Sequence, residues 1–405
     1  MLIRRQTSEC LSVVAFLLIS TIFCGMLSSV GADKSEMVYQ GTDPCDYIEN
    51  LSFNSTAANA SVSWQTELGP RLPGSNASAN LRSSIIENLT DFSFTESSHQ
   101  RENFTLTNLV GRYSPANSTG QNVVLVAHYD SRFMADRDDN ESMIYLPIDG
   151  ANDGASGVAV LIEMGKIIPS MELNHDVTLF FTDAEDQGTP SYPKTWSYGA
   201  DAWVENLTED YRDNISAYIV VDMIGDAFLD FTKVSYTSND LWDTVTPITA
   251  ALGMMENEED CSGNLGQPIY DSSKTRSVID DHIAAHQAGI PAINFIDLNY
   301  GENASFFGGY WHTHDDTADK VSAESLGLIG NILELGLVSS AWTLTQEPLE
   351  NNADDDEVNS NQDGKSQAKF DSTVEKSKFV GYVAIGIVSL VLITILIVDI
   401  RNAKQ

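Results

Sequence analysis

Apolar and polar residues alternate along this chain on two different periods. Four short apolar runs, Val123–Ala127, Val177–Phe181, Ala217–Val221 and Ala292–Ile296, have the length and continuity of buried strands. Between and after them come stretches with helical spacing: Gly154–Ile167, Gly199–Asn206, Leu241–Leu252, Asp280–Ala288 and Ala323–Leu344. Strand and helix in turn predict an α/β three-layer sandwich, with a central mixed, mainly parallel sheet flanked by helices. Glu49 to Arg112 reads as further helices and strands packed on the same domain, with Gly69–Ser75 (GlyProArgLeuProGlySer) as a turn between helices.

The two ends follow another pattern. Residues 1–32 carry Arg4-Arg5, the apolar stretch Leu11–Leu27 and a Val30-x-Ala32 site, the order of a secretory signal peptide, with an uncleaved anchor helix as the alternative. Phe379–Val398 is 20 residues without a charge, flanked by Lys376 and Lys378 before and Arg401 and Lys404 after. At about 1.5 Å rise per residue it reaches roughly 30 Å, the thickness of a bilayer core. Residues 347–378 are rich in Asn, Asp, Gln, Ser and Lys, a solvated acidic stalk, and residues 399–405 form a short tail. The expectation is a single-pass cell-membrane protein held by its C-terminal helix. Its domain, residues 46–345, would be extracytoplasmic and its tail cytoplasmic.

Composition sharpens that picture. Among 405 residues, 22 Lys and Arg stand against 58 Asp and Glu, a net charge of −36. Such a chain lacks the basic patch that binds a nucleic-acid backbone by counterion release, so no nucleic-acid partner is expected. An apolar content of 42% is too high for a disordered acidic chain and predicts a real core. Cys10 and Cys24 fall in the signal segment, leaving Cys45 and Cys261 either as one long-range disulfide in an oxidising compartment or as two separate thiols. Eleven Asn-x-Ser/Thr sequons, from Asn50 to Asn303, all fall in the portion expected outside.

In sheets of this kind, sites form beyond the carboxyl ends of the strands. His128, Tyr129 and Asp130 follow the first apolar run, a pattern that suits an imidazole ligand with a carboxylate holding its tautomer. Gly150–Gly157 leads into a helix with Asp153 near its first turn, where capping competes with ligation. Asp183, Glu185 and Asp186 follow the second run; neighbouring side chains diverge, so one carboxylate can ligate while the other faces a water. Asp222 ends the third run, and the loop after the fourth holds His312 and His314 as competing ligands. Each signal is weak alone. Together they make a mixed imidazole and carboxylate site with no thiolate, which suits one or two catalytic zinc ions.

AlaHisTyrAspSer (Ala127–Ser131), GlyAlaAsnAspGlyAlaSerGlyVal (Gly150–Val158), AspAlaGluAsp (Asp183–Asp186), ValAspMetIleGly (Val221–Gly225), AspAspHisIle (Asp280–Ile283) and TrpHisThrHisAspAsp (Trp311–Asp316) together resemble the zinc exopeptidase family. That family contains bacterial and archaeal aminopeptidases and the glutaminyl cyclases. The resemblance implies that His128 and Asp222 hold one zinc and Asp186 and His312 the other, with Asp153 bridging. It implies Glu185 as general base, taking a proton from the attacking water and passing it to the leaving amine, and Asp130 as the group that orients His128. Departures stand out. Asp186 replaces the Glu of many family aminopeptidases, and Trp311 stands where they carry Tyr, with Tyr310 one residue earlier. Trp311 and Asp281 resemble the cyclases, which use one zinc to close an N-terminal Gln. The cyclases, however, carry a Trp soon after the Glu pair, whereas Gln187–Ser191 intervenes here before Trp196. Trp311, Asp281 and Tyr310 are thus the candidate substrate-binding residues. The expected function is a membrane-anchored zinc aminopeptidase acting on peptides with a free N-terminus. Cyclisation is the alternative, and a silent receptor, whose mark would be lost ligands, comes third.

Overall fold

A computed structural model of the chain describes residues 37–101 and 104–346. The signal segment, the stalk, the apolar C-terminal segment, the tail and the Asn103 sequon lie outside the described residues. Among the described residues no helix is long and apolar enough to cross a membrane.

The architecture is an α/β sandwich around a six-stranded mixed sheet. In chain order its strands are β2 (Ser93–Arg101), β3 (Phe104–Tyr113), β4 (Asn122–His128), β5 (Asp176–Thr182), β6 (Ile215–Asp222) and β9 (Ala292–Ile296), arranged β2-β3-β5-β4-β6-β9. The four predicted apolar runs lie inside β4, β5, β6 and β9, which run parallel to one another. The edge strand β2 and its neighbour β3 add the antiparallel part. β2, SerPheThrGluSerSerHisGlnArg, escapes the apolar pattern because it is exposed or half-buried along its whole length.

The pattern of β4 shows why the four central strands read as continuous apolar runs. Val123, Leu125 and Ala127 enter one core, while Val124 and Val126 enter the other, since successive side chains leave opposite faces. On the first face α1 (Ser55–Glu67), α3 (Ala155–Ile167) and α8 (Ala323–Val338) pack together; on the second, Trp203 of α4 (Tyr198–Glu205) and Ala285 of α7 (His282–Gln287) cover the sheet. The remaining helices are α2 (Asn76–Asn88), α5 (Glu209–Asp213) and α6 (Asn239–Ala251). Two minor pairs, β1 (Met37–Tyr39) with β10 (Leu344–Gln346) and β7 (Phe231–Val234) with β8 (Tyr270–Arg276), lie outside the main sheet. The structure joins Cys45 to Cys261 as a disulfide with Cα atoms 5.5 Å apart, tying the segment after β1 to the loop after α6.

One predicted element runs too long. The helix expected over Ala323–Leu344 ends at Val338, and Leu344 belongs to β10. Ser340 takes a left-handed φ of 58°, Ala341 N–H donates to Gly336 C=O and Ser340 N–H to Leu337 C=O, which closes the helix as a Schellman turn. The indole of Trp342 then folds back over Gly336, where no Cβ would fit.

Register delivers the strand ends to one place. His128 pairs with Thr182, and Asp222 with Ile296, so the residues that follow β5 and β9 emerge beside those two ligand candidates.

Candidate metal centre

Two clusters of three groups form at these strand ends and share one residue. His128, Asp153 and Asp222 make the first, and Asp153, Asp186 and His312 the second; all five side chains are buried. His128 Nε2 lies 3.0 Å from Asp222 Oδ1 and 3.2 Å from Asp153 Oδ1. His312 Nε2 lies 3.1 Å from Asp186 Oδ1 and 3.6 Å from Asp153 Oδ2. The Asp153 carboxylate therefore presents one oxygen to each half.

Local sequence explains the approach. Asp153 sits in the turn leading to α3, and a Cβ on the next residue, Gly154, would collide with the carbonyl and imidazole of His128. Ala184, Met223 and His312 each adopt left-handed φ values, 61°, 48° and 57°, a sparsely used conformation for such residues that recurs at functional turns. Asp316 holds the Asp153 turn from behind, accepting from Asn152 N–H at 2.8 Å and Asp153 N–H at 3.2 Å. Arg71, from the Gly69–Ser75 motif, is fully buried and donates to Gly150 C=O at 2.7 Å and Tyr129 C=O at 3.4 Å. That motif is therefore more than the turn between helices that its sequence predicts: it staples the Asp153 turn to the end of β4.

A further set of side chains aims the candidate ligands. Asp130 accepts from Glu185 N–H at 3.0 Å, Asp186 N–H at 3.1 Å and Gln187 Nε2 at 2.8 Å, and its Oδ1 stands 3.5 Å from His128 Nδ1. Its tightest grip is thus on the Glu185–Asp186 turn. Asp136 accepts from His312 Nδ1 at 2.9 Å and from Arg132 Nη2 at 3.0 Å. Buried Arg132 also donates to the carbonyls of Asp186 and Gly188, at 2.9 and 2.7 Å, and stands 3.7 Å from the Asp186 carboxylate. Sequence reasoning does not find Asp136 or Arg132; a charged residue in an aperiodic loop of so acidic a chain carries no signal of its own.

Crowding decides the electrostatics. Burial raises Asp222 to about 8, with His128 pulling it back, and burial raises Asp186 to about 6 against the pull of His312. Burial opposes charge on His312, yet Asp186 and Asp136 outweigh it and lift its pKa to about 9. Burial and the nearby Asp280 push Glu185 well above the usual carboxylate range. Packed carboxylates of this kind need a counter-charge, and Asp186 Oδ2 is buried without a hydrogen-bond partner. Two imidazoles and three carboxylates match zinc in donor type, so the residues fit that ion.

Glu185 stands beside the two clusters rather than in them. Ser197 Oγ donates to its Oε1 at 3.0 Å, and it forms a third, purely acidic group with Asp280 and Asp281. Asp281 is fully buried, accepts from Thr182 Oγ1 at 2.5 Å and does not line the cavity above the centre. Its expected contact with substrate is corrected: it backs Glu185. Tyr310 is corrected too, because its ring packs edge-on against Tyr300, 5.3 Å away, outside that cavity. His314 faces away and pairs with Asp138 at 3.0 Å.

The cavity itself, about 380 Å³, has Asp153, Glu185, Asp186, Asp222 and His312 as its floor and Trp196, Phe307, Trp311 and Val278 among its walls. The Trp311 ring is stacked on His312 at 3.6 Å, and that of Trp196 on His312 at 6.1 Å. The residues intervening after Asp186 thus form a loop that returns Trp196 to the site. A larger groove of about 840 Å³, between β1 and α6, contains no imidazole and lies at the amino ends of β6 and β9.

Sheet topology and paired His and Asp clusters define a metallopeptidase-type centre. The chain belongs to peptidase family M28, whose model matches residues 108–335, more than half of its length. Aminopeptidase YwaD of Bacillus subtilis (strain 168) is 25% identical over 239 residues, 57% of this chain and 44% of that protein, so this chain spans less than half of that relative. A Zn-dependent exopeptidase from Parabacteroides distasonis superposes with a TM-score of 0.62 at 26% identity, over 71% of this chain and 99% of the other. A glutaminyl cyclase from Bacteroides thetaiotaomicron, solved with N-acetylhistamine bound, gives the same TM-score and identity over 71% of this chain and 98% of its own.

Proposed function

We propose that this chain is a zinc-dependent aminopeptidase that removes N-terminal residues from peptides. The observation that carries the reading is Asp153, whose two oxygens face two separate His–Asp pairs at 3.2 and 3.6 Å. On this reading His128 and Asp222 hold one ion, Asp186 and His312 a second, and Asp153 belongs to both. Zinc held there supplies Lewis-acid polarisation of a substrate carbonyl and an acidified water. The protein's own part begins at Glu185. Its carboxylate takes a proton from the attacking water and hands it to the leaving amine, so the group must both accept and release a proton near neutral pH. Burial beside Asp280 raises its proton affinity above that of an ordinary carboxylate, and the Ser197 hydroxyl fixes Oε1. Asp130 keeps Glu185 and Asp186 in register through their backbone N–H groups. The substrate's free amine is received by the same metal and carboxylate cluster, which selects for peptides with an unblocked N-terminus.

A second reading, cyclisation of N-terminal Gln, is favoured by the return of Trp196 to the site beside Trp311. Together with the acidic group behind Glu185, these two rings give the cavity an aromatic lining around His312, a setting for a flat carboxamide. Purified protein assayed on Leu-p-nitroanilide and on Gln-peptides, with and without chelator, separates the two. Chelator-sensitive release of nitroaniline is expected, and cyclisation with no hydrolysis of any substrate would overturn the first reading.

We also propose that the enzyme works outside the cell, anchored by Phe379–Val398. The Cys45–Cys261 disulfide supports an oxidising compartment. Protease shaving of intact cells that leaves the domain untouched would contradict it.

A further inference from the structure

The floor of the catalytic cavity is anionic, yet its rim carries a cation. Arg137 is the only Lys or Arg among the described residues lining that cavity. Its guanidinium carbon stands 5.2 Å from the Trp311 ring centroid, and the Trp311 ring lies 3.6 Å from the His312 ring. Among the described residues no carboxylate lies within ion-pair distance of it. Its neighbour Asp138 is already engaged with the backbone N–H and imidazole of His314, and buried Arg132 rather than Arg137 pairs with Asp136. The Arg137 backbone is fixed to the centre by donation from its N–H to His312 C=O at 3.2 Å. An exposed guanidinium anchored at its root, stacked on an aromatic wall and left without a partner is built to receive an anion.

The anion it meets follows from reach. Each residue past the scissile bond carries the chain about 3.5 Å further. An Arg–carboxylate pair closes at about 2.8 Å between heavy atoms. With the His312 ring 3.6 Å from that of Trp311 and the guanidinium carbon 5.2 Å beyond, Arg137 stands no more than about 9 Å from the His312 ring, a gap that one or two residues and the ion pair span. Beyond it, a second cavity of about 420 Å³ shares Arg137, Phe307 and Trp311 with the first, but is otherwise lined by Asp138, Asp139 and Asp315 among others. A carboxylate placed further out would face those acids. The path is thus ordered: the metal and carboxylate cluster for the substrate's free amine, Arg137 for its carboxylate, acids outside.

We infer that Arg137 binds the free α-carboxylate of short peptides, making di- and tripeptides the preferred substrate class. This inference rests on the proposed action at a free N-terminus. The test uses the full-length zinc-loaded chain and two matched pairs, Leu-Gly against Leu-Gly-amide and Gln-Gly against Gln-Gly-amide, with consumption and products followed by mass spectrometry. A ratio of kcat/KM for acid over amide of about 10 to 100 is expected in the wild type, the value of one charge-assisted bond. Arg137→Met should bring the ratio to about 1, Arg137→Lys should restore part of it, and Arg137→Glu should invert it. A wild-type ratio near 1, or a ratio unmoved by these variants, overturns the inference while leaving hydrolysis standing. A preference for an acidic side chain in Leu-Asp-amide over the free carboxylate of Leu-Gly also overturns it. Cyclisation of Gln-Gly with no cleavage of Leu-Gly overturns the aminopeptidase reading alone if the Gln pair keeps its ratio. No turnover of any of the four overturns both.

Discussion

The two halves of the centre are built from the same residue types by different means. His128 and Asp222 are the last residues of β4 and β6, held by the sheet's own register. Asp186 and His312 both sit on loops, and buried side chains hold them: Asp130 grips the Asp186 turn, Asp136 grips His312, and Arg132 ties the two together. The second half also carries a cation that the first lacks, since Arg132 stands 3.7 Å from Asp186. A positive charge beside a ligand works against binding of a dication. The strand-borne half should therefore bind zinc more tightly, and the loop-borne half should depend more on its supporting side chains.

The largest expected effect removes what the halves share. Asp153→Ala should lower kcat/KM by roughly 10³-fold or more, the several kcal/mol a catalytic metal contributes, with zinc lost from both halves by elemental analysis. Retention of two ions would break the bridging assignment. Glu185→Gln should cost roughly 10²- to 10⁴-fold in kcat while keeping the zinc content of the wild type, because the residue stands beside the clusters. Full activity in that variant would refute its role. The comparison itself is tested by Asp222→Asn against Asp186→Asn, each titrated with zinc. One tight ion should survive in the Asp186 variant and one weaker ion in the Asp222 variant; the reverse order would contradict the part given to Arg132. Asp136→Asn should weaken zinc by roughly 10- to 100-fold in the loop-borne half, as loss of a ligand-orienting carboxylate does.

The smallest effect lies outside both halves. His175, buried just before β5, has its pKa lowered to about 4 by burial, against 6.5 for the free side chain. The unfolded chain then binds more protons as pH falls from about 6.5 toward 4, so stability is present above that window and is lost through it. His175→Leu should lose less stability than wild type between pH 7 and pH 5, by up to about 2 kcal/mol. Parallel denaturation curves at the two pH values would show that His175 does not act this way.

The same contrast governs what the sequence makes legible. His128, Asp153 and Asp222 stand where a strand stops or a helix starts, so hydrophobic periodicity points at them. Glu185 and Asp186 follow the β5 run for the same reason. Asp136, Arg132 and Trp196 occupy loops without a period; their roles appear only when the chain closes on His312. The end of α8 was hidden for a related reason: Ser340 fills the left-handed position where Gly is the usual signal. Asp281 and Tyr310 mark the opposite failure, since a motif gives neighbourhood in sequence while burial decides which side chains meet the cavity.

A tripeptide beginning with Gln, incubated with the full-length zinc-loaded protein and analysed by mass spectrometry, reports which bond the centre acts on. Free Gln is expected, with the remaining dipeptide or its two amino acids, and both chelator and Glu185→Gln should abolish it. An intact tripeptide lighter by one ammonia, with no free Gln at any time, would contradict the aminopeptidase reading.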